Sequence, residues 1–284
     1  LPIVTSEEIE NCVFRFYDML ADRQSEDGKL PMGYLEHSGG YNVADGGQIA
    51  LAIAQSLRYI TDPVRKGRYQ RLCSRFFNWA ETFYIDSIRS ASLRESHPQE
   101  FAKGHANEGM YGLGEYGKKK IQTGPSWVGA DILAFQLCMG ILQKDSTQMQ
   151  YQAIAKRNAN YYVKATYPAS GYYQAEALFW VRLALHDDNL NKIIDDNLRR
   201  TFLPRCTLNA LPLIYYREYI QDSPELRAVL LKYIWAFGSE SSFSSMKRLS
   251  EAYPKAVHGE SLAVSKYAAL SALWAMELSF RSEE

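Results

Sequence analysis

Helix-length segments of this chain alternate between two kinds, one apolar on every side and one apolar on a single side. The segment at about 44–60 carries Ile49, Ala50, Leu51, Ala52, Ile53 and Ala54 with no polar face, so a helix there must be enclosed by neighbours. The segment at about 64–85 follows the start signal Asp62-Pro63 and interleaves Arg65, Lys66, Arg68, Arg71 and Arg75 with Leu72, Phe76, Phe77 and Trp79. The contrast recurs downstream. Apolar stretches open near 127, 172, 207 and 260, and charged or mixed ones cover about 147–166, 189–202 and 224–236. Ahead of them all, about 6–22 reads as an amphipathic helix: Thr5 and Glu8 form a capping-box pattern, and Ile9, Cys12, Val13, Phe16, Tyr17 and Leu20 recur at helical spacing.

Strand signals are scarce. Two concentric layers of helices satisfy the alternation, with inner helices touching neighbours all round and outer helices showing one face to water. The expected fold is therefore all-α: an α/α toroid, a barrel of five or six helical hairpins, forming a single domain over residues 1–284. The sixth hairpin would have to lie within 86–125, where periodicity is hard to read. An α-solenoid of stacked hairpins is the alternative, although such repeats usually keep a shorter and stricter period.

Charge removes some functions. The chain has 32 basic and 32 acidic residues and no long run of either sign, so it lacks the basic face a nucleic-acid binder needs. Its apolar stretches break before the ~18–20 residues of a membrane span. Cys12, Cys73, Cys138 and Cys206 stand singly, which favours small buried side chains over a zinc or redox site. No metal or cofactor is expected. Leu1 is not a natural start, so the compartment stays open; a mature or trimmed form would suit a secreted or periplasmic setting.

The starts of three apolar helices look alike: Tyr41-Asn42-Val43-Ala44-Asp45, Trp127-Val128-Gly129-Ala130-Asp131 and Tyr172-Tyr173-Gln174-Ala175-Glu176. Each sets an aromatic residue four positions before an acid, and residues so spaced share a helix face. In a toroid the inner helices run parallel, so these first turns would gather at one mouth. Asp45, Asp131 and Glu176 would then be the catalytic carboxylates, with Tyr41, Trp127, Tyr172 and Tyr173 as stacking walls for an oligosaccharide or polysaccharide. Such acids also serve as ordinary first-turn helix caps, and the aromatics as hydrophobic staples.

A second cluster, Gly104-His105-Ala106-Asn107-Glu108-Gly109-Met110-Tyr111, places His105 and Glu108 three apart, where they could pair. His258-Gly259-Glu260 precedes the last apolar helix and adds His258 and Glu260 to the binding candidates. Paired carboxylates point to a glycoside hydrolase. The rival is a lyase or epimerase using His105, Tyr111 or His258 as base, with Lys103, Lys118, Lys119 and Lys120 available to neutralise a uronate. A non-catalytic helical module that binds a glycan or peptide is the third possibility.

The hairpin alternation resembles the six-hairpin glycosidase and related α/α-toroid superfamily, whose members include glycoside hydrolases, polysaccharide lyases and sugar epimerases. Tyr173-Gln174-Ala175-Glu176-Ala177-Leu178 is similar to a segment of the N-acylglucosamine 2-epimerases, as is Gly104-His105-x-x-Glu108. In that family the two strings lie one hairpin apart. Here the apolar helix 127–143 intervenes, so epimerase stands behind hydrolase.

Overall fold

The structure, a computed structural model, describes residues 6–30 and 40–124, together with Val128, Gly129, Ile132, Phe135, Gln136, Cys138 and Met139. Its elements are α1 (Ser6–Arg23), β1 (Gly40–Asn42), α2 (Val43–Ser56), α3 (Pro63–Glu81), α4 (Ser87–Ser96), α5 (Pro98–Ala102), β2 (Gly114–Tyr116) and β3 (Lys119–Ile121). Contacts divide the chain into two compact units. One holds the described residues through Thr82 with Gly114–Lys120; the other holds Phe83–Leu113 and the described residues from Ile121 onward.

In the first unit α2 is the enclosed helix that the sequence implies. Thirteen of its fourteen residues are buried, and Asp45 is the exception. It is shorter than the segment 44–60 that the sequence suggests, ending at Ser56 with a turn after it. The flanking helices are one-sided. α1 buries Val13, Phe16, Tyr17 and Leu20 while Asn11, Arg15 and Asp22 stay exposed. α3 starts where Asp62-Pro63 indicates, with the Asp62 carboxylate accepting from Val64 N–H at 2.9 Å, and it buries Tyr69, Leu72, Cys73, Phe76, Phe77, Trp79 and Ala80.

α3 packs closely on α2 at one point. A Cβ on Gly46 would lie 2.4 Å from Cε2 of Phe76, so the missing side chain makes room for the ring. Tyr17 ties α1 to the far end of α2 through its hydroxyl, 2.9 Å from Ser56 Oγ. Tyr17 and Tyr69 meet edge to face at 5.6 Å. The charged face of α3 is not wholly given to water. Arg68 bonds Asp18 at 2.9 Å and also Asp22, and Arg75 donates to the carbonyls of Ser25 and Glu26.

The unit also contains a small sheet that helical periodicity did not announce, in the order β1-β2-β3. β1 pairs antiparallel with β2, Tyr41 opposite Glu115. Gly114 sits at φ +140°, and a Cβ there would come within 2.0 Å of the Tyr41 carbonyl oxygen, so only glycine permits this approach.

In the second unit, the stretch considered for a sixth hairpin holds two short helices, α4 and α5, rather than a long pair. Its core is Ile85, Leu93, Ala106 and Met110, with Phe101 against it. Residues 83–85 exchange backbone hydrogen bonds with 109–112, and Tyr84 bridges Tyr111. The seven described residues of the apolar stretch near 127 are all buried, and all are helical. No described helix is long and apolar enough to cross a membrane. Cys73 and Cys138 are buried outside any disulfide, as expected of small packing side chains.

Candidate functional site

Among the three first-turn acids, Asp45 lies within the described residues; Asp131 and Glu176 lie outside them, as do Trp127, Tyr172, Tyr173, His258 and Glu260. Asp45 occupies the first turn of α2 and is half-buried. The helix cap, however, is Asn42. Its backbone is extended at φ −103° and ψ 128°, and its Oδ1 accepts from Ala44 N–H at 2.8 Å. Asn42 thus satisfies the Ala44 N–H at the start of the helix.

This cap corrects one expectation. Tyr41 is not on the face of a helix with Asp45, because the helix begins after it; Tyr41 belongs to β1. The asparagine that caps the helix needs extended backbone, and that hands the preceding residue to the strand. Tyr41 is half-buried with the Lys29 ammonium 5.0 Å from its ring centre. Lys29 also bridges Asp27 at 2.8 Å and Glu115 at 3.1 Å. Burial would lower the Lys29 ammonium, but its bonds to Asp27 and Glu115 outweigh that and raise it.

α2 carries a polar strip. Asp45, Gln48 and Gln55 fall within an arc of about 80° at ~100° per residue. Gln55 is fully buried, and neither its Nε2 nor its Oε1 has a hydrogen-bond partner among the described residues. Leaving such an amide unpaired costs about 1–3 kcal/mol, a cost an ordinary core position would avoid with leucine.

The second unit corrects the other pairing. His105 meets Glu100, not Glu108: Nδ1 lies 2.8 Å from Glu100 Oε2, and Glu108 is exposed. The reason is the way α5 ends. Gly104 N–H bonds the Phe101 carbonyl and His105 N–H bonds the Glu100 carbonyl at 3.0 Å, with Gly104 at φ +77°. These are the two bonds of a Schellman turn, which brings the second residue past the helix back over its last turn. The helical i, i+3 rule therefore fails at His105, which lies beyond the helix.

Glu100 was missed in the sequence although a signal was present. A short helix ending in Lys103-Gly104 places the following residue beside the one five positions earlier. Lys103 holds the other carboxylate oxygen at 2.8 Å. Lys103 first and then His105 hold the Glu100 carboxyl below the usual carboxylate range. Tyr111 is fully buried, its hydroxyl accepting from Gln136 Nε2 at 2.7 Å and its ring edge-on to Tyr84. Lys118, Lys119 and Lys120 are exposed around the turn between β2 and β3. No cluster of metal-ligating side chains occurs among the described residues.

No protein-family model matches the chain, and neither does any curated protein or solved structure.

Proposed function

We propose that this chain is a carbohydrate-active enzyme working by acid–base chemistry, with a glycoside hydrolase as the leading form and an oligosaccharide or polysaccharide as substrate. The observation that carries the reading is Asp45, the one residue of α2 that is not buried, on a helix whose cap is already supplied by Asn42. In hydrolysis one carboxylic acid protonates the departing glycosidic oxygen. A second carboxylate activates water or attacks the sugar carbon. Asp45, Asp131 and Glu176 are the carboxylates proposed for these roles.

The test is Asp45→Asn in the full chain. Hydrolysis of responsive glycans should fall by about 10²- to 10⁴-fold, the usual worth of a positioned acid or base, with the melting transition nearly unmoved. If melting falls along with turnover, Asp45 is a structural residue.

His105 favours a second reading, elimination or epimerisation. Its imidazole is held by a carboxylate, as a general base requires, and Tyr111 is occupied by Gln136 in the core.

A further inference from the structure

Strand β1 runs into α2 with no residue between them, because Asn42 ends the one and caps the other. An N-cap needs extended backbone, and the pairing of Asn42 with Gly114 supplies it. Whatever holds β2 against β1 therefore also sets the first turn of α2, in which Asp45 stands.

One cation bridges the two strands. Tyr41 and Glu115 are directly opposite, so their side chains share a face of the sheet. The Lys29 ammonium meets both, 3.1 Å from Glu115 Oε1 and 5.0 Å from the centre of the Tyr41 ring. The side chains of Lys29 and Glu115 are 14% and 17% exposed, so solvent ions screen this pair less than a surface one. Lys29 is itself anchored. Asp27 holds the same ammonium at 2.8 Å, and Ser25 Oγ accepts from the Lys29 backbone N–H at 2.8 Å. The turn is tied in its place to α3: Gln24 Nε2 donates to the Leu72 carbonyl at 2.9 Å, and Arg75 donates to the carbonyls of Ser25 and Glu26. A continuous path leads from α3 through Lys29 and the paired strands to Asp45.

We propose that Lys29 and Glu115 are positioning residues for Asp45: their ion pair clamps β1 to β2 and so fixes where the first turn of α2 presents its carboxylate. This rests on Asp45 acting as the acid or base of glycan hydrolysis, the reading given above. Neither residue has to touch the substrate. A reacting group displaced by about 1 Å can lose on the order of 10²-fold in rate. The clamp therefore acts on kcat and leaves binding nearly as it was.

The test uses the full chain and three variants. Glu115→Met removes the acceptor and leaves Lys29 bonded to Asp27, Lys29→Met removes the cation, and Glu115→Gln keeps an oxygen that accepts from Lys29. Amide hydrogen exchange is read at Ala44, whose N–H bonds Asn42, and at Ile53, buried further along the same helix. Each Met variant should speed exchange at Ala44 several-fold with Ile53 little changed, and Glu115→Gln should stay near the parent. Exchange unchanged at Ala44, or raised equally at Ala44 and Ile53, overturns the clamp; should one Met variant not fold, the other decides. Turnover is followed as reducing ends released from xylan, cellohexaose and chitohexaose. Each Met variant should lower kcat by about 10- to 100-fold with KM near the parent value, and Glu115→Gln should keep most of the rate. Faster exchange at Ala44 with kcat unchanged overturns the positioning role. If the parent hydrolyses none of these glycans while Ala44 responds as expected, the hydrolase reading fails and the clamp on α2 stands.

Discussion

Two glycines in neighbouring helices should respond oppositely to the same substitution. Gly46 lies in the enclosed α2 and Gly67 on the more open α3. Replacing either by alanine removes the same backbone penalty, about 0.8–1.0 kcal/mol in a helix interior. The added methyl meets different surroundings. At Gly67 the nearest atom is Arg71 Nη1 at 3.5 Å, an ordinary contact. At Gly46 it would meet Phe76 Cε2 at 2.4 Å and Cζ at 2.9 Å, and the ring is buried with nowhere open to move. Overpacking of this kind costs about 1–3 kcal/mol. Gly67→Ala should therefore gain up to about 1 kcal/mol, while Gly46→Ala should end roughly 0–2 kcal/mol less stable than the parent. The propensity gain is common to both, so their difference isolates the clash. Urea unfolding with an unchanged m-value gives that difference directly. Adding Phe76→Leu to Gly46→Ala should recover part of the loss as a favourable coupling on the order of 1 kcal/mol. Equal gains at the two glycines would refute the close packing of α3 on α2.

Asn42→Ala should destabilise the chain by about 1 kcal/mol, because the cap on Ala44 N–H is lost; near-silence in thermal melting would mean that another group caps α2. Gln55→Met should raise stability by about 1–3 kcal/mol, read by thermal melting. A stability loss there would show that the amide is satisfied. At Asp27, burial would raise the carboxyl, but hydrogen bonds from Lys29 and Ser25 outweigh it and hold it low. A depressed folded value contributes stability above the unfolded carboxyl value of about 3.9 and loses it as pH falls through the folded one. Asp27→Asn should accordingly flatten the acid limb of stability below about pH 4, and an unchanged limb would place the loss elsewhere.

The enclosed helix and its one-sided neighbours are legible because enclosure writes itself into composition: the apolar run of α2 has no exposed face, and α1 and α3 keep one. The Asp62-Pro63 start was legible for the same local reason, a cap and a preset φ in adjacent residues. β1 was not. Its three residues are too few for an alternation, and its partner β2 lies more than seventy residues away in sequence. For His105, helical spacing points to Glu108 as the partner, whereas the glycine turn has already ended the helix and brings Glu100 there instead. The sequence puts Asp45 in a first turn, where it lies, but an i, i+4 rule does not register where a cap begins and so takes Tyr41 into the helix. The acids and aromatics of the later repeats, Asp131, Glu176, Trp127, Tyr172 and Tyr173, remain sequence assignments, as do His258 and Glu260.

Product analysis on glycans tests the central claim most directly. The purified chain is incubated with a panel of neutral and uronate-containing oligosaccharides and polysaccharides, and the products are read by mass spectrometry and NMR. We expect at least one glycan to be cleaved with addition of one water per bond, or altered at a carbon beside its carboxylate, and we expect Asp45→Asn or His105→Ala to abolish the change that occurs. Recovery of every glycan unaltered would contradict a carbohydrate-active enzyme.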